Sequence, residues 1–156
     1  MKKILFVCSG NTCRSPLAEG IAKKVFSQGK QFNSRISSAG SSALEGLPAS
    51  ALAVKVAQAN SLDLSNHKSR LLSRDLVKEA DLIVAMAANH RETVGVIEPL
   101  ALAYTYLLTD FCEEEGDIKD PLGMGIGTYE EIYAVIEKCV RAMRDDLEDF
   151  DGWRKS

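Results

Sequence analysis

The sequence predicts an α/β fold in which a four-stranded parallel sheet is flanked by helices on both faces. Three observations carry this expectation. Ile4-Leu5-Phe6-Val7 is a continuous apolar run of strand length rather than an alternating one, as suits a strand covered on both sides. Strand-like segments alternate with helical ones along the chain, the pattern of right-handed crossover units. A long stripe at helical spacing, Ile132, Ile136, Cys139 or Val140, Met143, Leu147 and Phe150, closes the chain, with Asp145, Asp146, Glu148 and Asp149 as its solvated flank.

Taken in order, the first strand ends near Cys8 and a tight loop leads to Pro16. Ser15 is expected as the N-cap of the first helix, with Pro16 at its first position and Leu17, Ile21 and Val25 repeating every four residues to about Gln28, before Gly29. Arg35 to Ala39 reads as a short second strand ending at Gly40. After Pro48 an alanine-rich helix places Leu52, Val56 and Ala59 on one face. Leu82 to Met86 is a third, buried strand, Asn89 to about Val96 a short helix, and Tyr104 to Leu108 the fourth strand. Thr128 with Glu131 forms a capping-box pattern for the last helix. Trp153, in the tail, has no assignable role.

The 156 residues suit one domain, 1–156. With 46% hydrophobic residues and a formal charge of −3, there is no basic excess to draw the whole chain onto nucleic acid or anionic lipid. No apolar run is long enough to span a membrane, and Ile4 to Cys8 is shorter than a signal-peptide core, so the chain is expected in the cytoplasm. A reducing compartment would keep all four cysteines as thiols, Cys112 and Cys139 being structural. Zinc fits poorly, because Cys8 and Cys13 have no second close pair among Cys112, Cys139, His67 and His90. Gly123-Met124-Gly125-Ile126-Gly127 follows no strand directly and lacks dinucleotide-loop spacing, so it reads as a hinge.

The loop Cys8-Ser9-Gly10-Asn11-Thr12-Cys13-Arg14-Ser15-Pro16 lies where open α/β sheets bind ligands, between a strand end and a helix start. Its unpaired amides, the helix dipole and a nest-forming Gly10 would together hold a tetrahedral dianion. Arg14 adds a planar fork for two phosphate oxygens. That position is poor for a cation unless an anion visits it, which argues against a plain surface arginine. Cys8, at the centre, would have its pKa lowered into the range of roughly 4 to 7, making a nucleophile rather than an inert core cysteine. Ser15 could donate to its sulfur, and Asn11, which tolerates left-handed backbone, could brace the loop.

Cys-x5-Arg-Ser, and the fuller set Cys8, Gly10, Asn11, Cys13, Arg14, Ser15 and Pro16, resembles the phosphate loop of the low-molecular-weight protein tyrosine phosphatase family. Ser38-Ala39-Gly40, the His67 segment, Leu82 to Met86 and Asp120-Pro121 are similar in order and spacing, so the resemblance runs to about Phe150. It implies the family's flavodoxin-like fold and a substrate-binding loop of Ser9, Gly10, Asn11, Thr12, Cys13, Arg14 and Ser15. It also implies support of that loop by Ser38 and His67. Without it, these two would read as a strand-end serine and a half-buried histidine.

Cleavage of a P–O or P–N bond needs a proton for the leaving group. Composition does not single out the acid, and Asp-Pro is often an ordinary turn; the similarity to the family's Asp-Pro loop points to Asp120. Cys8, Arg14 and Asp120 are therefore the expected catalytic residues, working through a phosphocysteine on Cys8. Thr12, in place of a bulky aliphatic residue, and Leu122-Gly123, in place of aromatics after Asp-Pro, resemble the protein arginine phosphatase branch, which hydrolyses phosphoarginine in proteins. Phosphotyrosine hydrolysis is the alternative, with Thr12 as neutral variation. A thiol-linked arsenate reductase is disfavoured because Leu82 to His90 holds no resolving cysteine. A redox-sensing phosphate-binding module, with Cys13 as the partner of Cys8, is a further alternative. No metal or cofactor is expected, because amides and Arg14 balance the phosphate charge. The expected partners are a phosphorylated protein or peptide and the product inorganic phosphate, with no nucleic acid and no membrane, and the protein itself is expected to be a monomer.

Overall fold

The computed structural model describes residues 1–28 and 33–149. Strands β1 (Lys2–Cys8), β2 (Ser34–Gly40), β3 (Leu82–Ala85) and β4 (Thr105–Leu107) form one sheet of order β2-β1-β3-β4, and every pairing is parallel. Helices α1 (Arg14–Phe26), α2 (Ala51–Ala59), α3 (Arg74–Glu79), α4 (Ala88–Ile97) and α5 (Ile126–Asp149) complete it, with 3-10 turns at Pro99–Tyr104 and Leu108–Phe111. The chain leaves β1 for one neighbour, β2, and later supplies β3 on the other side. The loop after β1 therefore sits at the switch in strand order.

The apolar run in β1 alternates between two cores because successive side chains face opposite ways. Ile4, Phe6 and Cys8 pack with Leu17, Ile21 and Val25 of α1 and with Ile132, Ile136, Val140 and Met143 of α5. Leu5 and Val7 pack on the other face with Ile83, Val77 of α3, Val94 of α4 and Ala101. Burying each large side chain contributes about 1.5–3 kcal/mol, so both faces of β1 are strongly specified.

Several boundaries differ from expectation. Helix α1 begins at Arg14, one turn position before the expected cap, so Cys13 precedes it and Ser15 is already helical. Pro16 remains acceptable because first-turn amides have no partner within the helix. Helix α5 begins at Ile126 and incorporates Gly127. The amides of Thr128 and Tyr129 reach the Gly125 carbonyl, so Thr128 lies inside the helix and does not cap it. Only Gly123 of the expected glycine hinge has positive φ, 78°. In α2, Ala53, Val56 and Ala57 are buried and Ala59 is exposed, so the buried face is rotated from the one expected. Ser50 caps α2 by accepting from the Ala53 amide, and Ser73 caps α3 by accepting from the Leu76 amide. Helix α1 ends at Phe26 with Ser27 as its C-cap, two residues short of the expected Gln28. Phe150, expected in the apolar stripe of the last helix, and Trp153 lie outside the described residues.

Cys112 and Cys139 form a disulfide with Cα atoms 5.0 Å apart, whereas all four cysteines were expected as thiols. The sequence separation of 27 hid a pairing that forms only because α5 folds back beside the turn ending at Phe111. Cys8 and Cys13 remain free thiols.

Candidate active site

Five residues join the end of β1 at Cys8 to the start of α1 at Arg14, and Asn11 makes their turn by adopting φ 55°. Gly10 stays out of the left-handed region, so Asn11 rather than Gly10 supplies the positive-φ residue expected of the loop. Asn11 is fully buried, and its amide is fully used: Nδ2 donates to Ser15 Oγ at 2.8 Å and to Ser38 Oγ at 2.9 Å, while Oδ1 accepts from the Arg70 amide at 3.0 Å. The His67 Nε2–H donates to the Asn11 carbonyl at 2.7 Å. The Ser38 hydroxyl in turn donates a hydrogen bond to Glu19 Oε1 at 2.8 Å. Ser38 and His67 both contact Asn11, and Glu19 and Arg70, for which the sequence carried no expectation, join the same network. At the end of β2, a Cβ on Gly40 would collide with the Ser9 carbonyl and stand 2.9 Å from the Asn11 nitrogen, so only glycine fits beneath the loop.

Because Ser15 Oγ accepts from Asn11, its hydroxyl hydrogen is left to donate to Cys8 Sγ, 2.8 Å away. The amides of Ser15 and Asn11 also face that sulfur. Burial pushes the Cys8 thiol above its ordinary pKa, outweighing the Ser15 hydroxyl, these amides and the Arg14 guanidinium, which all pull it down. The lowered pKa expected from sequence is therefore not met in this structure. Composition reveals the donors around the sulfur but not the depth at which β1 buries it, with 2% of the residue exposed.

Arg14 is buried and held by its surroundings. Nη1 donates to the Ile118 carbonyl at 3.0 Å, Nη2 donates to Ser9 Oγ at 3.4 Å, and Nη2 stands 3.6 Å from Asp120 Oδ2. The Asp120 side chain is 50% exposed, and its Oδ1 accepts from the Leu122 amide. This loop is fastened to the sheet by the Ile118 amide on the Met86 carbonyl and by Asp117 Oδ1 on the Ala88 amide, which opens α4. Asp120, more than a hundred residues from the Cys8–Arg14 loop in sequence, is thereby brought beside Arg14 at that end of the sheet.

His90 was weighed in sequence only as a zinc ligand, yet it enters this site. It is 0% exposed and its Nε2 lies 2.8 Å from Ser9 Oγ. Burial, and secondarily Arg14, lowers its pKa from 6.5 to about 4, against the opposing pull of Asp117 and Asp120. The unfolded chain takes up this proton near pH 6.5 and the folded one only near 4. Stability is thus lost as pH falls through that window, and chemical denaturation between pH 7 and 4 is expected to show a loss that His90→Gln removes.

Thr12 is half-buried, with Oγ1 3.8 Å from Cys13 Sγ. Cys13 Sγ lies 3.3 Å from Ser50 Oγ and 3.4 Å from the Tyr129 hydroxyl, a polar cluster for which sequence gave no signal. Leu122 is 70% exposed beside Asp120. Among the described residues there is no group of three or more potential metal ligands, and no helix is long and apolar enough to cross a membrane.

The chain that carries this cysteine, buried arginine and Asp-Pro loop is similar along most of its length to known proteins. The profile of the Low molecular weight phosphotyrosine protein phosphatase family matches residues 3–150. The chain belongs to that family. The low molecular weight protein-tyrosine-phosphatase Wzb of Salmonella typhi is 35% identical over 150 residues, 96% of this chain and 97% of that one. Among solved structures, the YwlE arginine phosphatase from Geobacillus stearothermophilus superposes with a TM-score of 0.86 at 31% identity, covering 96% of this chain and 94% of its own. Vibrio vulnificus Wzb in complex with benzylphosphonate gives 0.86 at 34% identity, with coverage of 94% and 99%. Membership fixes the four-stranded parallel architecture and the cysteine-dependent protein phosphatase class, whose substrates are phosphorylated proteins.

Proposed function

We propose that this phosphatase hydrolyses phosphoarginine in proteins through a phosphocysteine on Cys8. Arg14 and the loop amides grip the phosphoryl oxygens. The Cys8 sulfur attacks phosphorus while the P–N bond breaks, its electron pair passing to the guanidine nitrogen as Asp120 protonates it. Water, losing a proton to the Asp120 carboxylate, then displaces the sulfur and releases inorganic phosphate. The raised thiol pKa is compatible with this chemistry. When a dianionic phosphoryl group is bound, moving the Cys8 proton to a phosphoryl oxygen leaves the total buried charge unchanged, so desolvation no longer opposes the thiolate. The Ser15 hydroxyl, the Ser15 and Asn11 amides and Arg14 still favour it.

The observation that carries the choice of substrate is Thr12 at the loop, together with Leu122 and Gly123 after Asp120-Pro121. A phosphotyrosine ring gains from aromatic walls, whereas a planar polar guanidinium gains from a hydroxyl with room beside it. The YwlE arginine phosphatase supports the same reading. The names of relatives such as Wzb favour a second reading, phosphotyrosine hydrolysis. Rates on matched phosphoarginine and phosphotyrosine peptides decide between them. The wild type is expected to favour phosphoarginine, and Thr12→Ile to shift the ratio toward phosphotyrosine by about 10- to 100-fold. A wild-type preference for phosphotyrosine makes the second reading the correct one, and an unchanged ratio in the variant removes Thr12 as the selector.

A further inference from the structure

The phosphate loop is not held by its own residues alone. His90 reaches it from the first turn of α4, from the opposite side to Asn11, Ser38 and His67. Ser9 Oγ is the meeting point: it lies 2.8 Å from His90 Nε2 and accepts from Arg14 Nη2 at 3.4 Å. The other ring nitrogen, Nδ1, is buried with no hydrogen-bond partner among the described residues.

These positions select one tautomer. If Nε2 accepted from the serine hydroxyl, the ring proton would sit on Nδ1, and a buried N–H would have no acceptor. If the proton sits on Nε2, only a lone pair is left unpaired at Nδ1. Orphaned buried N–H groups are the rarer and costlier case. The Nε2–H then donates to Ser9 Oγ, which accepts from both His90 and Arg14. The serine hydroxyl hydrogen is left free for an oxoanion in the cradle.

We infer that His90 is a positioning residue: by donating from Nε2 to Ser9 Oγ, it fixes the serine oxygen that orients the Arg14 fork toward the phosphoryl group. This rests on the phosphatase reading of the loop and extends it to a residue outside the phosphate-loop motif. Arg14 is then steadied by the Ile118 carbonyl at Nη1 and the Ser9 hydroxyl at Nη2, with the Asp120 carboxylate nearby. A buried neutral imidazole suits the task because a second cation would repel the guanidinium it serves.

The test compares His90→Leu, His90→Gln, Ser9→Ala and the His90→Leu/Ser9→Ala pair. It uses para-nitrophenyl phosphate turnover, the inhibition constant for inorganic phosphate, thermal melting, and nitrogen-15 shifts of the imidazole in the wild type. His90→Leu and Ser9→Ala are each expected to lower kcat and to weaken phosphate inhibition about tenfold. The double variant is expected to be no worse than either single one, because both remove the same contact. His90→Gln, which keeps a donor at similar reach, is expected to recover most of the loss. The wild-type spectrum is expected to show the proton on Nε2 at neutral pH. Multiplying effects, unchanged phosphate inhibition in a folded His90→Leu, or a proton on Nδ1 would each overturn the inference. If His90→Leu does not fold, His90→Gln and the wild-type spectrum still decide. A wild type that hydrolyses no phosphorylated substrate would instead refute the phosphatase reading, while the spectrum would still report on the His90–Ser9 bond.

Discussion

Cys8→Ser is expected to lower hydrolysis of phosphorylated peptides by about 10⁴-fold or more while leaving the fold and phosphate binding intact. The substitution exchanges one atom at the bottom of the cradle. Its oxygen is far harder to ionise than sulfur, and the Ser15 hydroxyl and Arg14 cannot close that gap. Binding survives because the donors that grip an anion are main-chain amides and Arg14, none of which is altered. Steady-state rates and phosphate titration by calorimetry on the same preparation separate the two effects. A variant retaining more than about 1% of wild-type turnover would remove Cys8 as the nucleophile.

Asp120→Asn is expected to lower kcat on phosphopeptides by about 10²- to 10⁴-fold, the range associated with a positioned acid and base, with little change in KM. The loss should be smaller on para-nitrophenyl phosphate, whose leaving group departs without a proton. The Asp120 side chain is half-exposed and stands 3.6 Å from Arg14, so its removal is not expected to unfold the protein. Equal losses on both substrates would place the effect of Asp120 in the shared water step or in steadying Arg14 rather than in protonating the leaving group.

Much of this site was legible in sequence because its chemistry is local. The run Ile4 to Val7 announces a strand buried on both faces, and Cys8 to Pro16 places a cysteine, an arginine and six intervening bonds' worth of donors at a helix start. What was hidden is what the tertiary fold imposes. The burial that raises the Cys8 thiol depends on α1, α5 and β1 packing together, which no window of sequence reports. Ser15 looks like a cap, yet Asn11 captures its oxygen and turns its hydrogen toward Cys8, so the helix starts at Arg14 instead. His90, Arg70 and Glu19 reach the loop from other elements and carry no motif of their own. The Cys112–Cys139 bond likewise waits on the return of α5.

The claim on which the rest depends is that the phosphoryl group passes through the Cys8 sulfur. Asp120→Asn lacks the carboxylate that activates water, so the intermediate should accumulate in this variant. Acid-quenched samples taken within the first turnover of para-nitrophenyl phosphate, whose leaving group needs no proton from Asp120, digested and read by mass spectrometry, are predicted to carry phosphate on Cys8. Turnover in the wild type with no phosphorylated Cys8 in the variant, or with the phosphate found on another side chain, would contradict it.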